Sequence, residues 1–214
     1  MTGLLKNNFY TARSNARVLS VFMLLLGVIA VIILNQPLLT CYMLLAMIGF
    51  SLNAIASIRK EYVSKWGKYK LTVPCKKADI VRSYYISQLF WLVIGILFAG
   101  TTMGVSWIFH GCPFDRNIDT LTMFALGISI SLFMGAIFLP LFYFGGEERS
   151  EVFLIISLLC AIGIAAGIVV AINFFFDPGI PTIVLGAILL LVSSIVVFTL
   201  SYPLTVSIFK KKDY

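Results

Sequence analysis

Residues 59–82 read RKEYVSKWGKYKLTVPCKKADIVR. The segment carries eight of the sixteen lysines and arginines in a 214-residue chain that is 60% hydrophobic and only 12% charged. A soluble domain has roughly a quarter of its residues charged and under half apolar. With a mean hydropathy of +1.02, no soluble fold of this length buries so much apolar surface. The bilayer is therefore the solvent, and residues 59–82 are a polar loop between membrane-spanning helices. A net charge of +7 would suggest nucleic acid in a soluble protein. Here it reports sidedness, and no nucleic-acid partner is expected.

Outward from the loop, apolar runs alternate with helix-breaking turns. Spans are predicted over residues 18–34 and 38–58, joined by Asn35, Gln36 and Pro37 in a turn tight enough to make an antiparallel hairpin. Beyond the loop the next run, 81–109, exceeds the ~20 residues a bilayer needs. Its first turns, Val81 to Tyr85, are expected to project into the cytosol or the interface. Gly111, Pro113, Asp115 and Asp119 then break the chain. A fourth span follows at 120–144, interrupted late by Pro140. An acidic turn at 145–151 leads to a fifth span at 152–173. Asp177, Pro178 and Gly179 lead to a sixth at 180–202, and three lysines follow at 210–212. The prediction is an all-α polytopic membrane protein, a single domain over residues 1–214.

Charge sets the orientation. With both ends on one side, fifteen of the sixteen basic residues share that side and only Arg116 lies opposite. The positive-inside bias then places both termini, the long loop and the acidic turn in the cytoplasm. Residues 1–17 admit two readings, a disordered start or a short interfacial helix with Leu5 and Phe9, four apart, facing the apolar side. No small-residue cleavage site follows, so a cleavable leader is not expected.

The spans hold no ionisable group at depth, where such a group would mark a proton relay or ion site. The acids stand in turns, loops or the tail, and His110 is read as interfacial. No GxxxxGK[ST] phosphate loop occurs, and Cys41, Cys75, Cys112 and Cys160 are scattered without a metal-ligand spacing. No catalytic residue, metal or cofactor site is assigned. Ser51, Asn53, Ser57, Ser87, Gln88, Ser129, Ser131, Ser193 and Ser194 either line a cavity or bond a neighbouring helix or their own backbone. Gly100-xxx-Gly104 and Gly163-xxx-Gly167 have the spacing for close helix approach, expected within the chain rather than at a dimer seam. Tyr62, Trp66 and Tyr69, interleaved with charges, suit either a protein docking surface or an amphipathic segment on anionic lipid.

Lys65-Trp66-Gly67-Lys68-Tyr69-Lys70-Leu71-Thr72-Val73-Pro74, with the basic pair Lys76-Lys77 and Ile80-Val81 after it, resembles a pattern of the small six-span permease subunits of bacterial type-2 ABC exporters, the peptide and antibiotic exporter kind. Those permeases carry KW-x-x-Y-x-x-T/S-x-P after the second span. Pro140 to Arg149 is similar to the family's P-x-x-F-x-x-G-x-E-(K/R) turn, and Leu4 to Phe9 to its interfacial opening helix. The chain departs from the family in having Asn8 where an acid is frequent and Arg59-Lys60 where members are more acidic. The resemblance implies a half-transporter. Two permease copies, expected as a homodimer, pair in the bacterial cell membrane, each on a separate ATPase subunit that binds ATP and Mg. A coupling helix between spans 2 and 3 transmits closure of the ATPase pair. Glu61, Tyr62, Lys65, Trp66, Tyr69 and Pro74 are the expected docking residues. Gly146, Glu147 and Arg149 form the second cytoplasmic turn. The neutral interior suits an amphipathic or lipophilic cargo, with a cytolytic or antimicrobial peptide the first choice. The alternatives are a substrate-binding membrane subunit of a vitamin importer, or a receptor or immunity protein that transports nothing.

Overall fold

The computed structural model describes residues 2–33, 35–63, 76–111, 114, 116–146, 149–177 and 179–211, with side chains left undescribed at 2 and 61–63. The described residues form six helices: α1 (Thr2–Ile33), α2 (Gln36–Val63), α3 (Lys77–His110), α4 (Asn117–Gly145), α5 (Ser150–Phe175) and α6 (Ile180–Lys211). All six are long and apolar enough to cross a membrane. They match the six predicted spans in order, and most run several residues further than predicted. An apolar stretch marks only the part that crosses hydrocarbon, whereas helical backbone continues until a breaker or a polar turn stops it. Pro37 lies in the first turn of α2, where its missing N–H costs nothing. Gly111 and Gly146 end α3 and α4 at φ 79° and 83°, a left-handed backbone that favours glycine.

Two three-helix groups make the bundle. One is α1, α2 and α3; the other is α4, α5 and α6, in which α4 and α6 share the most extensive contact in the molecule. The groups meet chiefly where α2 packs on α4, with a smaller seam between α3 and α6. α4 is the central element, 67% of its most apolar window being buried, against 17% for both α5 and α6. Phe133, Met134, Phe138, Leu139 and Phe142 fill the space around it. Exposed Leu, Ile, Val and Phe on α1, α5 and α6 present the apolar perimeter that a bilayer solvates.

Close helix approach occurs at glycines other than the two predicted motifs. A Cβ on Gly95 would stand 2.8 Å from the carbonyl oxygen of Ala46 and 2.9 Å from the Met47 Cα, so α3 and α2 touch backbone to backbone there. Gly127 makes room for the Met47 side chain and Gly135 for the Gln88 amide. Nothing lies within 4 Å of the Cβ position at Gly104, Gly163 or Gly167, and at Gly100 only the Phe124 ring tip reaches 4.0 Å. The expected intrachain packing of both GxxxG motifs is therefore corrected. Spacing puts two glycines on one face, but the neighbour's shape decides whether that face is filled.

The amino-terminal residues are helical rather than a disordered start, and residues 2–33 form one continuous helix. Its first turns nevertheless leave the line of the span. Gly49 stands beside Leu19 and Met23, so a strictly antiparallel path would carry Phe9 well past residue 58. Instead the Ala12 carbonyl accepts from the Asn53 amide at 3.3 Å, and Phe9 stacks on Trp91, itself stacked on Phe50. Asn8, 1% exposed, donates to the Ser83 hydroxyl at 3.1 Å. The amino-terminal turns thus lie crosswise over α2 and α3. Asn8, Ala12 and Ala16 face inward; Lys6, Arg13 and Arg17 face out. The early turns of α3 are covered by their neighbours: Ile80, Val81, Ser83, Tyr84 and Tyr85 are all buried in the bundle.

Candidate functional site

Among the described lysines and arginines, Arg116 alone stands at the end where α1 gives way to α2, α3 to α4 and α5 to α6. The others gather towards the opposite end, around the bases of the long loop and the acidic turn. Arg59, in the last turns of α2, forms an ion pair with Glu151 in the first turn of α5; both side chains are substantially exposed, at 48% and 64%. Beside it the Lys60 ammonium donates to the Asn15 side-chain carbonyl at 2.7 Å. At the far base of the loop the Lys77 ammonium reaches the Phe209 carbonyl at 3.4 Å and sits 5.4 Å from the centre of its ring. The two ends of the loop are thereby fixed on α1, α5 and α6. Exposed ion pairs contribute about 0.2–1 kcal/mol, so these contacts position the loop more than they stabilise the bundle.

Of the predicted docking residues, Glu61 and Tyr62 lie in the final turn of α2, which runs unbroken to Val63. Lys65, Trp66, Tyr69 and Pro74 fall outside the described residues, as does Glu147 in the second turn. Gly146 caps α4, its N–H donating to the Phe142 carbonyl at 3.1 Å, and Arg149 precedes α5 as an exposed residue. The structure thus brings the second turn to the base of the first through Arg59 and Glu151, two residues outside the predicted docking set. An acid and a base at opposite loop bases are a weak signal, since sequence alone does not say which turns are neighbours.

Inside the bundle, uncharged polar groups tie helices together. Pro140 has no N–H to give the carbonyl of Ala136, four residues earlier. The Ser201 hydroxyl of α6 supplies that donor at 2.6 Å. Tyr85 of α3 closes the set, its hydroxyl 2.7 Å from the Ser201 and 2.9 Å from the Thr205 hydroxyl oxygens. One proline interruption thereby becomes a three-helix junction. α6 has its own interruption, Pro203, inside the same turn. A second junction centres on Gln88 of α3, 2% exposed, whose amide donates to the Ser131 carbonyl of α4 at 3.0 Å and lies 3.5 Å from the Ser51 hydroxyl of α2.

Most of the hydroxyls weighed as cavity lining bond a helix instead. Ser57, Ser131, Ser193 and Ser194 donate to carbonyls three or four residues back on their own helices, the usual outlet for serine inside a helix. Ser194 also lies 3.4 Å from Ser129 across the α4–α6 seam. Of the weighed set, Asn53 borders a groove between α1 and α2; the other cavities described are lined by other residues. A groove of about 720 Å³ between α1, α2 and α3 is almost wholly apolar, with the Thr102–Tyr42 hydrogen bond at 3.0 Å as its polar feature. A smaller one of about 360 Å³ lies beside Gly100, Gly104 and Trp107, where the unfilled glycine face opens.

Residues 3–210 match the family model described as ABC-2 family transporter protein. The chain belongs to the ABC-2 transporter family. No curated protein and no solved structure gives a significant match. Family membership makes the chain a permease subunit of an ABC transporter, a membrane transport component that is not itself the catalyst and that works with an ATPase partner in a lipid bilayer. The ABC-2 permease reading therefore stands ahead of the vitamin-binding and non-transporting alternatives.

Proposed function

We infer that this permease is one half of an ATP-driven exporter that moves an amphipathic or lipophilic cargo, best matched by a cytolytic or antimicrobial peptide, out of the cell. The observation that carries the cargo class is the chemistry of the interior. Hydroxyls and amides at Tyr85, Gln88, Ser131, Ser201 and Thr205 are turned to one another and to backbone carbonyls, and the two grooves further along α3, towards Phe109, are largely apolar. A small hydrated ion finds no fixed countercharge along such surfaces, whereas an amphipathic helix or a lipophilic drug needs none.

In this reading residues 1–214 are a single permease domain, two copies pair as a homodimer in the bacterial plasma membrane, and each copy rests on an ATPase subunit that binds ATP and Mg. The basic bias puts both termini and the 59–80 loop in the cytoplasm. Glu61, Tyr62, Lys65, Trp66, Tyr69 and Pro74 dock the ATPase, supported from the second turn by Gly146, Glu147 and Arg149. Arg59 and Lys60, held by Glu151 and Asn15, set the position from which that loop departs.

The test is co-purification from the native host followed by reconstitution. An ATPase subunit should come down with the permease. Proteoliposomes holding both should accumulate a fluorescent amphipathic peptide in an ATP-dependent manner, with the ATPase-binding face outside. Uptake of an inorganic cation, or ATPase activity indifferent to the peptide, would overturn the cargo assignment.

A further inference from the structure

At the basic end, α1 and α2 stand on one side of a cleft and α5 on the other. At its charged end is a cavity of about 530 Å³ bordered by Asn15, Arg59, Lys60, Ser150 and Glu151, with Ile55, Phe138 and Leu154 as its apolar wall. An adjoining groove of about 650 Å³ shares Asn15, Ala56 and Leu154 with it and continues along Val18, Leu19, Phe22, Leu52 and Asn53. One continuous cleft therefore passes from a charged mouth to an apolar wall along the span of α1. Both volumes lie in the range of small-molecule sites.

Glu151 answers Arg59, and Lys60 is held by the neutral Asn15 side chain, so among the described residues lining the cavity the basic groups outnumber the acidic by one. Ser150, 3% exposed, borders the cavity, and its hydroxyl engages no other group among the described residues. It is the first residue of the 26-residue α5, whose preceding residue, Arg149, gives no side-chain cap. Free N–H groups at a helix start favour an anion. Cation, hydroxyl and helix start converge at the mouth of a groove that only an acyl chain or a comparable apolar body would fill.

We propose that this cleft binds an anionic phospholipid of the bilayer, its phosphate at Lys60, Arg59 and Ser150 and one acyl chain along Val18, Phe22 and Leu154. The lipid bridges the three-helix groups beside the Arg59–Glu151 pair, at the base of the long loop. The site makes no use of the cargo assignment and stands or falls separately from it.

The experiment uses the full chain in nanodiscs of equal phosphatidylglycerol and phosphatidylcholine, with retained lipid read by native mass spectrometry after release into detergent. Phosphatidylglycerol should be retained over phosphatidylcholine. Lys60→Gln and Arg59→Gln should each lower that retention about fivefold, the factor expected for one basic residue near an anionic lipid. Ser150→Ala should lower it further in either background. Leu154→Trp, which fills the groove and leaves the charges intact, should lower it as well, while Arg116→Gln at the opposite end should leave it unchanged. Circular-dichroism melting checks that each variant keeps the wild-type fold. Equal retention of the two lipids, Lys60→Gln and Arg59→Gln variants that both keep phosphatidylglycerol, retention that follows a second copy of the chain, or equal protection by soluble glycerol phosphate would each overturn the proposal.

Discussion

The Ser201 hydroxyl donates at 2.6 Å to the carbonyl of Ala136, the carbonyl that Pro140 leaves without a helical donor. A buried unpaired carbonyl in a bilayer costs several kcal/mol, so this cross-helix bond is what lets α4 carry a proline in its buried half. Tyr85 then ties α3 to the same hydroxyl. Ser201→Ala should destabilise the permease by about 0.6–1.7 kcal/mol, the range of interhelical hydrogen bonds in membrane proteins. Pro140→Ala restores the N–H, so the double variant should lose less than the sum of the two single losses. A double-mutant cycle by thermal or denaturant unfolding measures that coupling; strict additivity would mean that Ser201 does not serve the freed carbonyl.

Gly135 and Gln88 make a second coupled pair. A Cβ at Gly135 would run into the Gln88 amide group, which is already bonded to the Ser131 carbonyl. Gly135→Ala alone should destabilise by about 1–3 kcal/mol through overpacking. In a Gln88→Ala background the same change should be neutral or gain up to about 1 kcal/mol, since alanine is the better helix former. That reversal of sign is the measurement, and a Gly135→Ala variant as stable as wild type would refute the fit.

Arg59 and Glu151 join the bases of two turns, and their exposure limits what they contribute to stability. Reversing both charges, Arg59→Glu with Glu151→Arg, should restore most of a loss of about 0.2–1 kcal/mol caused by either single change. The restoration should fade at high salt, because the Debye length shrinks from about 10 Å at 0.1 M to about 3 Å at 1 M, the scale of an exposed contact pair. Unfolding curves at low and high ionic strength test both statements.

Sequence reading reached the six helices because each span is a sustained apolar run bounded by Pro, Gly or charge, and the bilayer forbids most alternatives. It did not reach the partners. Pro140 announces a freed carbonyl, but that the donor is Ser201 depends on α4 lying against α6, a packing choice without a local signature. Gln88 and Gly135 are likewise 47 residues apart by number and visible as a pair only once α3 and α4 face each other. The crosswise amino-terminal turns were half legible: of the Leu5 and Phe9 stripe, read as facing the apolar side of the interface, Phe9 packs against the core with Leu4 beside it and Leu5 does not, whereas the buried Asn8 meeting Ser83 reads as a solvent-facing amide until the helices are placed. Among the expected docking residues, Glu61 and Tyr62 belong to the last turn of α2, and the others lie outside the described residues.

The 59–80 loop supplies the last expectation. α2 stays helical to Val63, so the chain enters the loop from a rigid base anchored by Arg59 and Lys60. In the proposed reading Trp66 docks the ATPase as an aromatic anchor, and a buried aromatic anchor contributes about 2 kcal/mol or more to an interface. Trp66→Ala should therefore weaken ATPase association by roughly thirtyfold and uncouple ATP hydrolysis from transport, while insertion and the melting temperature of the isolated permease stay near wild type. Association measured by pull-down, and peptide transport per ATP hydrolysed in proteoliposomes, read the two consequences separately. A Trp66→Ala variant with unchanged association and unchanged coupling would move the loop's aromatics from the ATPase to the lipid headgroups, the other surface that their composition suits.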